Sequence, residues 1–151
     1  MITVYNKEFV IQSSIVRIMI LLLCCFSPHI LAQQVIVNSS VTTDSLTTSQ
    51  LRRIYSMRQV KWPDDSRIVV FVLPSKHPVH QAFCKETLRI FPYQIERIWN
   101  KLTFSGLGTA PNMVETQQQL LDAVTNTPGA IGYIDGDTIK GDSVNVIKIS
   151  Q

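Results

Sequence analysis

Residues 67–80 of the sequence read RIVVFVLPSKHPVH, and this stretch decides the fold class. Its first seven residues are mostly apolar and rich in valine, which predicts a β-strand that is buried on both faces. Pro74 ends this strand. Pro78 suits the first position of a following helix, because no backbone N–H is needed there, and Ser75 or His77 would be the N-cap. A buried strand that leads directly into a helix is typical of α/β proteins.

Further strands and helices alternate on both sides of this stretch. β-Branched and small-residue runs predict strands at residues 35–37, 130–134 and 144–149. A capping box of Thr47 and Gln50, followed by apolar residues at helical spacing, predicts a helix that ends near residue 57. The same spacing predicts helices at residues 79–88, 92–102 and 115–124. We therefore expect a three-layer α/β fold, in which helices flank a mixed, mostly parallel sheet.

The N-terminal segment has the pattern of a secretory signal peptide. Basic residues (Lys7 and Arg17) precede a short apolar run at residues 18–26, IMILLLCCF. A helix that spans a bilayer needs about 20 apolar residues, which is more than this run has. The sequence predicts a signal peptide at residues 1–32, cleaved after Ala32, and a periplasmic protein that meets the membrane only through this segment. An N-terminal membrane anchor is the alternative.

The remainder, residues 33–151, has the length and composition of one domain. The whole chain contains 14 Lys and Arg and 11 Asp and Glu, so its formal net charge is only +3. These charges are interspersed along the chain. Because nucleic-acid binding requires a concentrated basic surface, the sequence predicts no nucleic-acid partner.

Cysteine usage excludes an internal disulfide in the predicted secreted domain. Cys24 and Cys25 lie in the predicted signal peptide, so Cys84 would be the only cysteine left. Its neighbour Phe83 indicates a small buried hydrophobic residue, and a reactive thiol is the alternative.

We find no pattern of residues that predicts catalysis. Ser75 lies near two histidines, but no G-x-S-x-G elbow surrounds it. His77 and His80 have the i, i+3 spacing that permits shared metal ligation, or they are polar residues at an exposed helix start. The sequence therefore predicts no catalytic residue, no metal and no cofactor, and a protein that is not an enzyme.

One local pattern predicts binding. Ligands of open α/β sheets bind at the carboxyl ends of strands, and the backbone N–H groups of a helix start attract anions. Both features occur where the strand at residues 67–73 meets its helix. Tentative ligand-binding residues there are Ser75, Lys76, His77 and His80. The alternative is an ordinary capped helix.

Several phrases in this order resemble the phosphate-type periplasmic solute-binding proteins of ABC transporters. They are residues 46–55 (LTTSQLRRIY), 62–65 (WPDD), 68–70 (IVV), Phe83, 104–106 (FSG) and 127–134 (TPGAIGYI). The resemblance covers nearly all of residues 35–149. It implies one lobe of the type 2 periplasmic binding protein fold, with phosphate or another small oxyanion as ligand and an envelope or transporter protein as partner.

The sequence departs from that family at its oxyanion motif. Matching on Phe83 puts Leu73 where the family has Arg, and His77, Pro78 and Val79 where it has Ser-Gly-Thr. No Arg fork remains for a bidentate phosphate contact, and Pro78 lacks a backbone N–H. The alternative function is therefore an envelope protein–protein interaction or sensory partner module that binds no small ligand.

Overall fold

A computed structural model describes residues 33–136 and 144–150. The predicted signal peptide, its cleavage site, Cys24 and Cys25 lie outside the described residues. None of the helices in the described ranges is long and apolar enough to cross a membrane.

The described residues alternate between strands and helices, as the sequence predicts. The strands are β1 (Gln33–Asn38), β2 (Ser45–Thr47), β3 (Val69–Val72), β4 (Asn112–Met113), β5 (Ala130–Asp135) and β6 (Val144–Ser150). The α-helices are α1 (Thr48–Tyr55), α2 (Pro78–Ala82), α3 (Pro92–Phe104) and α4 (Gln117–Asn126). A π-helical turn, Phe83–Thr87, continues α2.

The strands form one mixed sheet in the order β2-β6-β1-β5-β3-β4. β3 is parallel to both of its neighbours, β4 and β5, and β2 is parallel to β6. β1 is antiparallel to β5 and β6. The prediction of a mixed, mostly parallel sheet is confirmed.

Two adjacent residues of β5 show that helices cover both faces of the sheet. A Cβ added to Gly132 would lie 2.4 Å from Leu120 of α4, so this side of β5 packs directly on that helix. Tyr133 points to the opposite face, because side chains alternate along a strand. Its ring stacks on Phe83, with centroids 3.9 Å apart, and lies 5.8 Å from that of Tyr55 in α1. The fold therefore has the three layers that the sequence predicts.

Long-range hydrogen bonds from buried polar side chains join these layers. The amide of Asn38, at the end of β1, donates to the carbonyl of Val124 at 2.8 Å, near the end of α4. The indole N–H of Trp62 donates to the carbonyl of Gly129 at 2.9 Å, and that of Trp99 donates to the carbonyl of Tyr55 at 2.8 Å. Both tryptophans are buried in the core.

The predicted elements differ from the structure mainly at their ends. The capping box of Thr47 and Gln50 is present at the start of α1. The strand predicted at residues 67–73 is shorter, because Arg67 instead forms an isolated bridge with Lys61. β2 and β4 were not predicted, since each has three residues or fewer and exists only through its pairing with a longer strand.

Candidate functional site

The carboxyl edge of the sheet brings three helix starts to the same end of the fold. β2, β3 and β4 lead into α1, α2 and α4 respectively. β3, β4 and β5 run in the same direction, and so does β6, since β5 and β6 are both antiparallel to β1. β2 is parallel to β6, so its carboxyl end lies at this edge too. This is the edge at which open α/β sheets bind ligands.

The β3–α2 corner (residues 73–80) starts from a buried residue and turns sharply at the surface. Leu73 is fully buried, and its backbone N–H donates to the Tyr133 hydroxyl at 3.0 Å. The N–H of His77 donates to the carbonyl of Pro74 at 2.8 Å, which closes a turn with Ser75 and Lys76 at its tip. Ser75 is half-buried and Lys76 is exposed. The corner therefore presents these two side chains to solvent.

His77 is the N-cap of α2. Its backbone is extended, and its ring Nδ1 accepts the backbone N–H of Val79 at 3.2 Å. In the neutral ring, the proton must then lie on Nε2, because Nδ1 is the acceptor. Pro78 occupies the first helical position and has no N–H. The first two positions of α2 therefore offer no backbone donor to an anion, and the side chains of residues 75–77 would have to supply the contacts.

His80 lies in the core, although it is only three residues from the cap. It is 1% exposed, its Nδ1 is hydrogen-bonded to the Tyr133 hydroxyl, and its Nε2 lies 3.4 Å from Sγ of Cys84. Because the hydroxyl accepts the N–H of Leu73, we assign its proton to the bond with Nδ1. Nε2 then carries the ring proton and donates to the sulfur. His80 is a link in a buried chain of hydrogen bonds, so that only Ser75, Lys76 and His77 of the four predicted ligand-binding residues reach the surface.

Burial controls the protonation of this chain. Desolvation, with a smaller contribution from the charge of His77, lowers the pKa of His80 to about 4. Desolvation, with a smaller contribution from Glu96, raises the pKa of the Cys84 thiol to about 12. At neutral pH both groups are therefore uncharged. Cys84 is fully buried, which confirms the prediction of a small hydrophobic residue there and contradicts that of a reactive thiol.

The two histidines do not form a shared metal site. His77 uses Nδ1 as a helix cap, while both ring nitrogens of His80 contact core residues. Residues 33–136 and 144–150 contain no group of three or more His, Cys, Asp or Glu side chains that could hold a metal ion.

Acidic residues are also present at the carboxyl edge. Glu115 lies just before α4, and Asp135 ends β5. The backbone N–H of Asp135 donates to the side-chain oxygen of Gln117 at 2.6 Å, which ties the end of β5 to the start of α4. Lys76 thus contributes a positive charge to an edge that also carries carboxylates, so the edge as a whole is mixed in charge.

Sequence reasoning missed Tyr133 as the residue that organises this corner. The phrase GAIGYI drew attention to its strand, and a large aromatic residue among small ones was the available signal. The tyrosine contacts the end of β3 and the middle of α2, more than fifty residues away in sequence.

Comparison with solved structures assigns the fold to a known class. A phosphate ABC transporter substrate-binding protein from Clostridium perfringens, solved with bound phosphate, aligns with 79% of this chain and 46% of its own, at 20% identity and a TM-score of 0.62. An ABC-type phosphate transport receptor from Vibrio cholerae aligns with 79% of this chain and 47% of its own, at 19% identity and a TM-score of 0.58. PstS from Borrelia burgdorferi aligns with 78% of this chain and 47% of its own, at 17% identity and a TM-score of 0.62.

The chain therefore has the fold of part of a phosphate-type binding protein, as the resemblance predicts. It spans about half the length of these structures. No protein-family model matches the chain, and no curated protein matches it.

Proposed function

We propose that this chain is a periplasmic, non-enzymatic binding-protein lobe, secreted through a signal peptide at residues 1–32, that binds phosphate or another small oxyanion and acts with a transporter protein. The observation that carries the proposal is the likeness of its fold to about half of several phosphate-binding proteins. The proposed site is the β3–α2 corner, at the carboxyl edge of the sheet.

The donors of the corner support weak anion binding. Lys76 is exposed, and it forms no ion pair with any carboxylate of the described ranges. The Ser75 hydroxyl and Nε2 of His77 are the other donors, since Nδ1 of His77 caps the helix. The buried Leu73 cannot provide a bidentate contact of the kind that arginine makes. We therefore expect an affinity well below that of a site with an arginine fork.

A thermal-shift titration of the full chain with phosphate and sulfate, at constant ionic strength, tests the proposal. A ligand that binds the native state stabilises it by mass action, by about 2.7 kcal/mol at a hundredfold excess over Kd. We expect a saturable rise in Tm with oxyanions and none with chloride.

Variants locate the site. Lys76→Gln removes the charge, and His77→Asn keeps an N-capping side chain but removes the imidazole donor. Either change should weaken the oxyanion response, whereas Lys101→Gln, on the exposed surface of α3, should not. A folded protein whose Tm ignores every oxyanion would refute small-anion binding, and an unchanged response in Lys76→Gln would refute the site.

A second candidate function is an envelope protein–protein interaction module. It is favoured by two large apolar side chains near the end of α3, Phe104 and Leu107, which are 90% and 82% exposed. Large exposed apolar side chains of this kind, three residues apart in the sequence, are candidates for an interaction surface. The weak donor set at the β3–α2 corner also fits this function.

Replacement of both residues by serine tests the second candidate. A partner protein that co-purifies with the wild type should be lost from the Phe104→Ser, Leu107→Ser variant and kept by Lys76→Gln. The reverse pattern would assign the partner contact to the β3–α2 corner.

A further inference from the structure

A cavity of about 270 Å³ lies outside the β3–α2 corner and is lined by Lys85, Arg89, Ile90, Phe91 and Gln94. We propose that this cavity, the Lys85–Gln94 cavity, binds a small aromatic carboxylate, that is, a flat organic anion with one carboxylate group. This inference is independent of the proposed oxyanion site, with which it shares no residue.

The charges of the cavity select an anion. Lys85 and Arg89 are both exposed, and within the described ranges the single ion pair is that of Lys61 with Asp65. Neither cation is therefore neutralised by a carboxylate from the described part of the chain, and no described acidic residue lines the cavity. An arginine guanidinium can hold a carboxylate by two parallel hydrogen bonds, and a lysine ammonium adds a second positive charge.

The apolar side of the cavity selects a flat ligand body. Ile90 and Phe91 line it, and Phe91 is 55% exposed although it is a large aromatic residue. Its ring stacks on that of Tyr93, which is 62% exposed, with centroids 5.8 Å apart and planes inclined by 18°. Exposed aromatic faces next to a cation favour ligands that combine a π-system with a negative charge. A bare inorganic anion would leave this side of the cavity unfilled.

The backbone around the cavity has an unusual conformation at each of the two cations. Lys85 belongs to the π-helical turn Phe83–Thr87, and Arg89 adopts a left-handed conformation with φ of 54°. Such turns and non-glycine left-handed residues occur often at functional sites, where the surrounding structure offsets their strain. Between them, the carbonyl of Leu88 accepts a hydrogen bond from Nε of Arg52 at 2.6 Å. This hydrogen bond ties the segment to α1.

The size of the cavity limits the ligand. Its volume of about 270 Å³ lies just below the range of about 300–1,000 Å³ that is typical of small-molecule pockets. One or two fused rings with a carboxylate fit this space, and an extended polymer does not. Phosphate would contact only the two cations and would not contact Ile90 or Phe91.

Titration of the full chain with 1-naphthoate, followed by amide chemical shifts in ¹H–¹⁵N spectra, tests the inference. We expect saturable shifts centred on residues 85–94. The neutral analogue 1-naphthalenemethanol and inorganic phosphate should each bind at least about tenfold more weakly, because each lacks one half of the recognised chemistry. Equal binding of the neutral alcohol would overturn the role of charge, and equal binding of phosphate at these residues would overturn the role of the ring.

Substitutions in the cavity provide a second test, which uses 1-naphthoate alone and does not depend on its analogues. Lys85→Gln combined with Arg89→Asn removes both charges, and asparagine tolerates the left-handed backbone at residue 89. This double variant and Phe91→Ala should each raise Kd for 1-naphthoate about tenfold or more, and Lys101→Gln should leave Kd unchanged. A dispersed amide spectrum shows that each variant is folded. The absence of naphthoate binding to the wild type, or an unaltered Kd in the folded double variant, would refute the site.

Discussion

The phenol oxygen of Tyr133 lies 3.0 Å from the backbone nitrogen of Leu73, so that a side chain of β5 accepts a hydrogen bond from the residue that follows β3. The same oxygen bonds to the ring of His80. One hydroxyl group therefore joins two strands and a helix at the point where the β3–α2 corner begins. The geometry of the proposed oxyanion site depends on this buried contact, although no ligand would touch it.

Tyr133→Phe should destabilise the protein by about 1–3 kcal/mol, because the buried N–H of Leu73 and the ring of His80 each lose a partner. Tyr55→Phe is the matched control. The hydroxyl of Tyr55 is buried and has no hydrogen-bond partner among the described residues, so its removal should cost nothing or stabilise slightly. Urea unfolding measures the change in the free energy of unfolding for both variants. Equal losses in the two variants would show that the Tyr133 hydroxyl has no special role.

The stability of the protein should fall on mild acidification because of His80. Burial lowers its pKa from 6.5 to about 4, so between these pH values the unfolded chain binds a proton that the native ring does not. The free energy of unfolding should be unaffected by this group above pH 6.5 and should fall by about 3 kcal/mol by pH 4. Denaturant titrations across this window measure the slope.

His80→Gln separates this effect from the titration of other groups. Glutamine keeps a hydrogen-bonding side chain but cannot take up a proton at these pH values. The variant should be less stable at pH 7 and should lose less stability between pH 6.5 and 4.5. Parallel curves for the variant and the wild type would assign the acid sensitivity to other groups.

Cys84 should resist alkylation in the native protein. Its thiol is fully buried, and its pKa is raised to about 12, so the reactive thiolate is scarce and inaccessible. Iodoacetamide labelling at Cys84, read by mass spectrometry of its peptide, should be roughly a hundredfold slower or more than in urea, because it requires local opening. Comparable rates with and without urea would support a reactive cysteine.

Gly129→Ala should be among the most damaging single changes. Gly129 has φ of +72°, and an added Cβ would lie 2.2 Å from the carbonyl oxygen of Arg67, so strain and collision combine to about 3 kcal/mol or more. Gly106 has nearly the same φ of +68° but nothing within 4 Å. Gly106→Ala should therefore cost only the left-handed strain, about 1 kcal/mol. Thermal unfolding compares the two, and similar costs would contradict the collision.

Local sequence patterns predicted the elements whose stability is local or strongly apolar. The capping box of Thr47 and Gln50 was visible because its hydrogen bonds join residues three apart. His77 was one of two predicted caps of α2, and the structure selects it. In contrast, β2 and β4 have no pattern of their own, because a strand of two or three residues is defined by its pairing alone.

The sequence by itself therefore determined the fold class, the capping box of α1 and the position of the β3–α2 corner, because periodicity and capping act over a few residues. Only the tertiary structure decided which side chains of that corner face solvent. His80 follows Lys76 by four residues, yet packing against Tyr133 and Cys84 buries it and removes its charge. The Lys85–Gln94 cavity was invisible in the sequence for a related reason. A π-helical turn and a left-handed Arg89 place its side chains, and the apolar spacing that predicts a helix at residues 79–88 does not distinguish these conformations from a regular α-helix.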